Sequence, residues 1–194
     1  MRTIGVAAMM AMAAGSAWAH RNPVESKKLT ICMESTGSHV AMQNEGRRIA
    51  ARTFAAIGVE IQWRDMPGCP SNAIQISFSG RIPAGFRADA LAYAMPYDGI
   101  HIVLLLDRVK DSVAPGAAGY LLGYTIAHEV THVLEGIARH STSGIMKAHW
   151  DLADHRQIVN GSLGSAPEDV ELIYRGLDGR QSRWPASALL ARAE

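Results

Sequence analysis

The chain has 194 residues, a length that suits one domain with a single core. Its formal net charge of +1 removes the electrostatic case for nucleic acid or an anionic membrane surface as a partner. No Lys/Arg run interleaves with aromatics, and neither a Gly-rich phosphate loop nor a recognisable serine-nucleophile turn is present, so those chemistries are set aside.

The first residues read as a secretory signal. Arg2 supplies the positive end, 4–14 is an apolar run too short to span a membrane, and Ala17-Trp18-Ala19 offers small residues for a signal peptidase. Cleavage after Ala19 leaves 20–194 as one mature domain, secreted or periplasmic. Export makes the even cysteine count informative, and Cys32 and Cys69 are expected to form a disulfide. Segment 28–33 reads as a strand. A helix follows over 38–57, with Val40, Ala41, Ile49, Ala50, Phe54 and Ile57 near one face and Gly58 placed to end it. Segments 59–63 and 73–78 read as strands, and 91–95 as a short strand before the turn Pro96-Tyr97-Asp98-Gly99. The apolar run 100–106 reads as a buried central strand.

Nothing between 117 and 135 breaks a helix, and Tyr120, Leu121, Tyr124, Ala127, Thr131 and Leu134 recur at helical spacing. Inside it stands His128-Glu129-Val130-Thr131-His132. Two histidines four apart on a helix are turned from each other by about 40° and separated by about 6 Å along the axis. Both imidazoles can therefore point at one ion, about 2.0–2.1 Å from each nitrogen, which suits zinc. Glu129 sits about 100° further round, beside the ion rather than on it. From there it can take a proton from an activated water and return it to a leaving amine, the chemistry of a zinc hydrolase and most often of a peptidase.

Downstream, Gly136 can end the helix in the left-handed conformation, and His140 follows soon afterwards. A catalytic zinc typically has three protein ligands and one water, so His140 is the first candidate for the third ligand. Glu168 or Glu171 on a later helix, and Asp151 or Asp154, are the acidic alternatives, and His149 could serve as a distant extra ligand. A helix is expected over 150–159. Another, capped by Ser165 with Pro167, Glu168 and Asp169 in its first turn, runs from about 166 to 176, and 180–194 reads as a polar tail.

Residues 118–151 resemble a metzincin-type zinc metallopeptidase. In that family the zinc helix ends at a glycine, a third histidine follows on the returning chain, and a tight methionine-bearing turn underlies the metal. The resemblance makes Ser143-Gly144-Ile145-Met146 that turn and Met146 the residue beneath the imidazoles. The spacing departs from the usual pattern. Gly136 and His140 stand four and eight residues after His132, where three and six are customary. This is similar to small secreted bacterial metzincin-like proteins in which a His-Ser pair precedes Gly-Ile-Met. Ala148 occupies the position where some members carry an assisting tyrosine.

The resemblance implies an α+β fold, a twisted mixed β-sheet packed on the zinc-binding helix with a short, mostly helical C-terminal part. It also implies that one strand, here 91–95, edges the cleft and pairs with an extended polypeptide substrate. The function expected is a secreted zinc endopeptidase with one zinc held by His128, His132 and His140 and Glu129 as general base. The alternative is a protein of the same fold that binds zinc without cleaving, or uses it only to hold the fold. Glu129, which a structural site does not require, favours the first.

Overall fold

Residues 26–183 are described by the computed structural model; the expected signal segment and the stretch from 184 onward lie outside the described residues. Burial decides where the strands sit. In β1 (Lys27–Met33) the consecutive residues Ile31, Cys32 and Met33 are completely buried, the pattern of a strand covered on both faces. It lies between β2 (Val59–Asp65) and β3 (Ile74–Phe78), parallel to both, with Ile31 opposite Trp63 on one side and Ile74 on the other. Parallel neighbours need a crossover, and α1 (Val40–Ala55) supplies it between β1 and β2. Beyond β3 comes β5 (His101–Leu104), again parallel, and then β4 (Ala92–Ala94), antiparallel and at the edge. The sheet order is β2-β1-β3-β5-β4.

The apolar run 100–106 divides, contrary to its reading as one strand. The strand ends at Leu104, and α2 (Leu106–Asp111) begins two residues later. Leu106 and Val109, three apart, are both buried, so the same hydrophobic residues fill one turn of helix as well as they would fill a strand.

Helix α3 (Ala118–Glu135) carries the histidine motif, and fourteen of its residues are buried, from Gly119 to Leu134. A helix apolar on nearly every side belongs in the middle of a fold. One flank packs on α1, where the Leu122 side chain meets the backbone at Gly46. Another meets α5 (Pro167–Arg183) at Gly176, where an added Cβ would lie 1.9 Å from the Leu134 carbonyl oxygen; only a glycine lets the two backbones come this close.

α5 runs past its expected end near 176, continuing through its crossing with α3 at Gly176. Ile173 and Leu177 are buried on either side of the crossing, and Arg180 Nη2 donates to the Asn72 carbonyl at 2.5 Å. Arg180 to Arg183 are thus helical and not the start of a tail. Between them lies α4 (Leu152–Asn160), started by a capping box in which Asp151 accepts from the Asp154 N–H at 3.0 Å and Asp154 accepts from the Asp151 N–H at 2.8 Å.

Cys32 and Cys69 are joined as expected, tying β1 to the loop that follows β2. Among the described residues no helix is long and apolar enough to cross a membrane. Replacing both cysteines by alanine should lower the unfolding free energy by about 3–4 kcal/mol, the chain-entropy value for a loop of this size. Urea denaturation of the oxidised protein and of the double variant measures it; equal midpoints would mean that the bond restrains nothing the core does not already hold.

Candidate metal centre

Two backbone carbonyls set the chemistry of the helix histidines. His128 Nδ1 lies 2.8 Å from the Ile145 carbonyl oxygen, and His132 Nδ1 lies, more loosely, 3.4 Å from that of Ile137. A carbonyl can only accept, so each Nδ1 carries the hydrogen and each Nε2 presents a lone pair. The two Nε2 atoms face each other at 3.1 Å with their rings nearly perpendicular. Two acceptors have no reason to meet at that distance unless a cation belongs between them. Nitrogens about 2.0–2.1 Å from one ion at tetrahedral angles are about 3.3 Å apart, close to what is seen.

His140 completes the group. Its ring centroid is 5.3 Å from that of His128 and 5.0 Å from that of His132, and the ligand atoms of all three lie within 4.8 Å of one another. Gly136, at φ 69°, ends α3 with its N–H on the His132 carbonyl, and the chain turns there to bring His140 back. A set of neutral imidazoles without a carboxylate suits zinc rather than calcium or magnesium.

Beneath His128 runs the turn 143–146. Gly144 has φ 73°, and a Cβ there would lie 2.5 Å from the Gly164 carbonyl, so both its conformation and its surroundings demand glycine. Ser141 N–H bonds the Met146 carbonyl at 2.8 Å and Ile145 N–H bonds the Gly164 carbonyl at 3.0 Å, which fixes the turn against the returning chain. Met146 is buried within it.

The acidic alternatives are used elsewhere. Asp151 and Asp154 form the capping box of α4 and receive Lys147 Nζ, while Glu171 pairs with Arg175 and Glu168 is exposed on α5. His149 is exposed at the rim of the cleft, outside the three-histidine group.

Glu129 is buried on the sheet side of the motif. Leu91 accepts from the Leu105 N–H at 2.9 Å and the Met95 N–H donates to His101 at 2.8 Å. Alternation along the strand therefore turns the backbone groups of Ala92 and Ala94 toward the open edge. Burial raises the Glu129 carboxyl to about 8, and a hydrogen bond from the Ala94 backbone pulls the other way. A cleft of about 640 Å³ runs between β4 and α3, floored by the three histidines and Glu129.

Trp150, which motif spacing does not mark as a site residue, also lines the cleft. Its Nε1 donates to the same Ile145 carbonyl at 3.2 Å, and its ring stands edge-on to His128 at 5.8 Å. Phe86 and Tyr93, with ring centroids 4.5 Å apart and planes tilted by 38°, also line the cleft. An aromatic four residues after Met146, in an otherwise polar turn, was the available signal for Trp150; the other pair meets only through the fold.

No family model matches the sequence, and no curated protein matches it. Among solved structures, archaemetzincin from Methanopyrus kandleri aligns with a TM-score of 0.58 over 78% of this chain and 97% of that one, at 13% identity. The chain therefore has an archaemetzincin-like fold, a mixed α/β arrangement with a five-stranded, mostly parallel sheet. Its three histidines form a possible metal site within that fold.

Burial depresses His128 to about 4, and burial reinforced by His128 and His140 depresses His132 to about 3, from an ordinary 6.5. Below pH 6.5 the unfolded chain takes up protons that the folded, metal-free chain refuses, so stability falls as pH drops from about 6.5 toward 4. Thermal melts of metal-free protein across that range should show a falling Tm, with a shallower fall in His128→Ala. A slope left unchanged by the substitution would contradict the assignment.

Proposed function

We propose that this chain is a secreted, single-domain zinc endopeptidase, with residues 1–19 as its signal peptide and 20–194 as the mature domain. The observation that carries the reading is the pair of opposed Nε2 lone pairs, 3.1 Å apart, beside a buried carboxylate on the floor of a cleft. His128, His132 and His140 would hold the ion. Zinc bound there supplies Lewis acidity, lowering the pKa of water and polarising a scissile carbonyl.

The chain's own groups do the rest. Glu129 is the general base and then the general acid. Burial raises its carboxyl above the ordinary carboxylate range, and a cation held by the neighbouring histidines would draw it down again, so that it can take a proton from water and return it. Its place beside His128 and His132 on the helix lets it serve the attacking water first and the leaving amine afterwards. The backbone groups of Ala92 and the Ala94 carbonyl face the open edge of β4, where an extended polypeptide can add as a further strand, while the Ala94 N–H is taken by Glu129. The peptide would then lie across the three imidazoles, with Phe86 and Tyr93 on one wall and Trp150 near the other. Met146 closes the base of the site without touching substrate. The disulfide is consistent with an extracytoplasmic setting, where such bonds persist.

The reading is tested by cleavage of a mixed peptide library, with products identified by mass spectrometry, for zinc-loaded wild type and Glu129→Gln. Wild type should cut. Glu129→Gln should lose at least about 100-fold in turnover, the lower range for general acid–base catalysis, while still binding one zinc. Equal turnover by both would remove Glu129 from the mechanism, and no cutting by either, with zinc present, would point to a binding or structural role.

A further inference from the structure

His140 stands on a loop, whereas His128 and His132 are held by a helix. The ring nitrogens of those two are also anchored by carbonyls, and among the described residues His140 has no such hydrogen bond. Its position must be set through its neighbours. Both neighbours are gripped by one group. Arg139 donates through Nη2, and Ser141 through Oγ, to the same oxygen of Asp169 in the first turn of α5. Arg139 also bonds Ser141 Oγ through Nη1 at 3.1 Å and pairs through Nε with Glu135, in the last turn of α3, at 3.2 Å.

Asp169 is completely buried, and its second oxygen, Oδ2, has no hydrogen-bond partner among the described residues. Burying a carboxylate is expensive, and a buried ion pair is often no more stabilising than apolar residues of the same volume. What such a pair does supply is geometry. An anion that both flanks of one residue must satisfy allows the intervening loop few alternative paths.

We propose that Asp169 is a positioning residue for the third metal ligand: through Arg139 and Ser141 it holds segment 139–141 so that His140 faces His128 and His132. This rests on the reading of His140 as a ligand. The clamp joins the loop to α5 through Asp169 and to α3 through Glu135. It therefore fixes His140 relative to the helix that carries the other two histidines, although Asp169 touches neither ion nor substrate.

The test is zinc affinity, by competition with a chromophoric chelator, together with the visible spectrum of the cobalt(II) protein. Five forms are compared: wild type, His140→Ala, Asp169→Asn, Ser141→Ala and Tyr174→Phe. The last removes a 2.7 Å bond from α5 to the Ile57 carbonyl, away from the histidines, and controls for lost stability. Asp169→Asn should weaken zinc binding about 10- to 100-fold and shift the cobalt bands. Ser141→Ala should weaken it about 10-fold with metal-free melting near wild type, and Tyr174→Phe should bind zinc as wild type does.

Wild-type affinity in His140→Ala would defeat the ligand reading itself. Loss in His140→Ala, with affinity and spectrum unchanged in Asp169→Asn and Ser141→Ala, would overturn the positioning role alone. So would an equal loss in Tyr174→Phe. If Asp169→Asn does not fold, Ser141→Ala decides by the same criterion.

Discussion

The Ile145 carbonyl is the point on which the site depends. It accepts from His128 Nδ1 and from Trp150 Nε1 at once, so one oxygen orients a histidine of the central helix and pins the aromatic beside it. Its own position comes from the turn around Gly144, whose left-handed backbone presses against the Gly164 carbonyl where no side chain fits. Moving that turn would release the His128 ring, free its tautomer and disperse the two lone pairs that face each other. The local geometry of four residues thus controls the donor set on a helix in another part of the chain.

The surroundings make this geometry rigid. α3 is covered by α1, α5 and the edge of the sheet, and each Leu or Ile it buries contributes about 1.5–3 kcal/mol. A helix so enclosed cannot rotate to hide its polar residues or expose them to water. Glu129 and His132 are consequently buried polar groups in an apolar element, a costly arrangement that the fold tolerates only where they have a use. The edge strand β4 meets the same segment from the other side, which gives the cleft a hydrogen-bonding wall opposite the histidines.

Much of this was legible in the amino-acid order because it rests on short-range periodicity. The spacing of His128 and His132, the helix stop at Gly136 and the strands flanking α1 follow from rules that act within about ten residues. The cysteine pair was legible from an even count and the expectation of a secretory signal. What was hidden required the third dimension. The run 100–106 is apolar whether strand or helix, so the break at Leu104 and the start of α2 were invisible. The continuation of α5 past 176 shows only once Gly176 is seen against the Leu134 carbonyl. Asp169 looks like an ordinary first-turn acid, and only the folded chain brings it to Arg139 and Ser141. The acids Asp151 and Asp154 were plausible ligands until their capping box accounted for them.

The most direct measurement is X-ray absorption at the zinc edge on the metal-loaded protein, repeated with His140→Ala. Three imidazole nitrogens at about 2.0–2.1 Å plus one light oxygen ligand, falling to two imidazoles in the variant, is the result that the convergence of His128, His132 and His140 requires. A zinc held by four protein ligands, or a coordination shell that His140→Ala leaves unchanged, would contradict it.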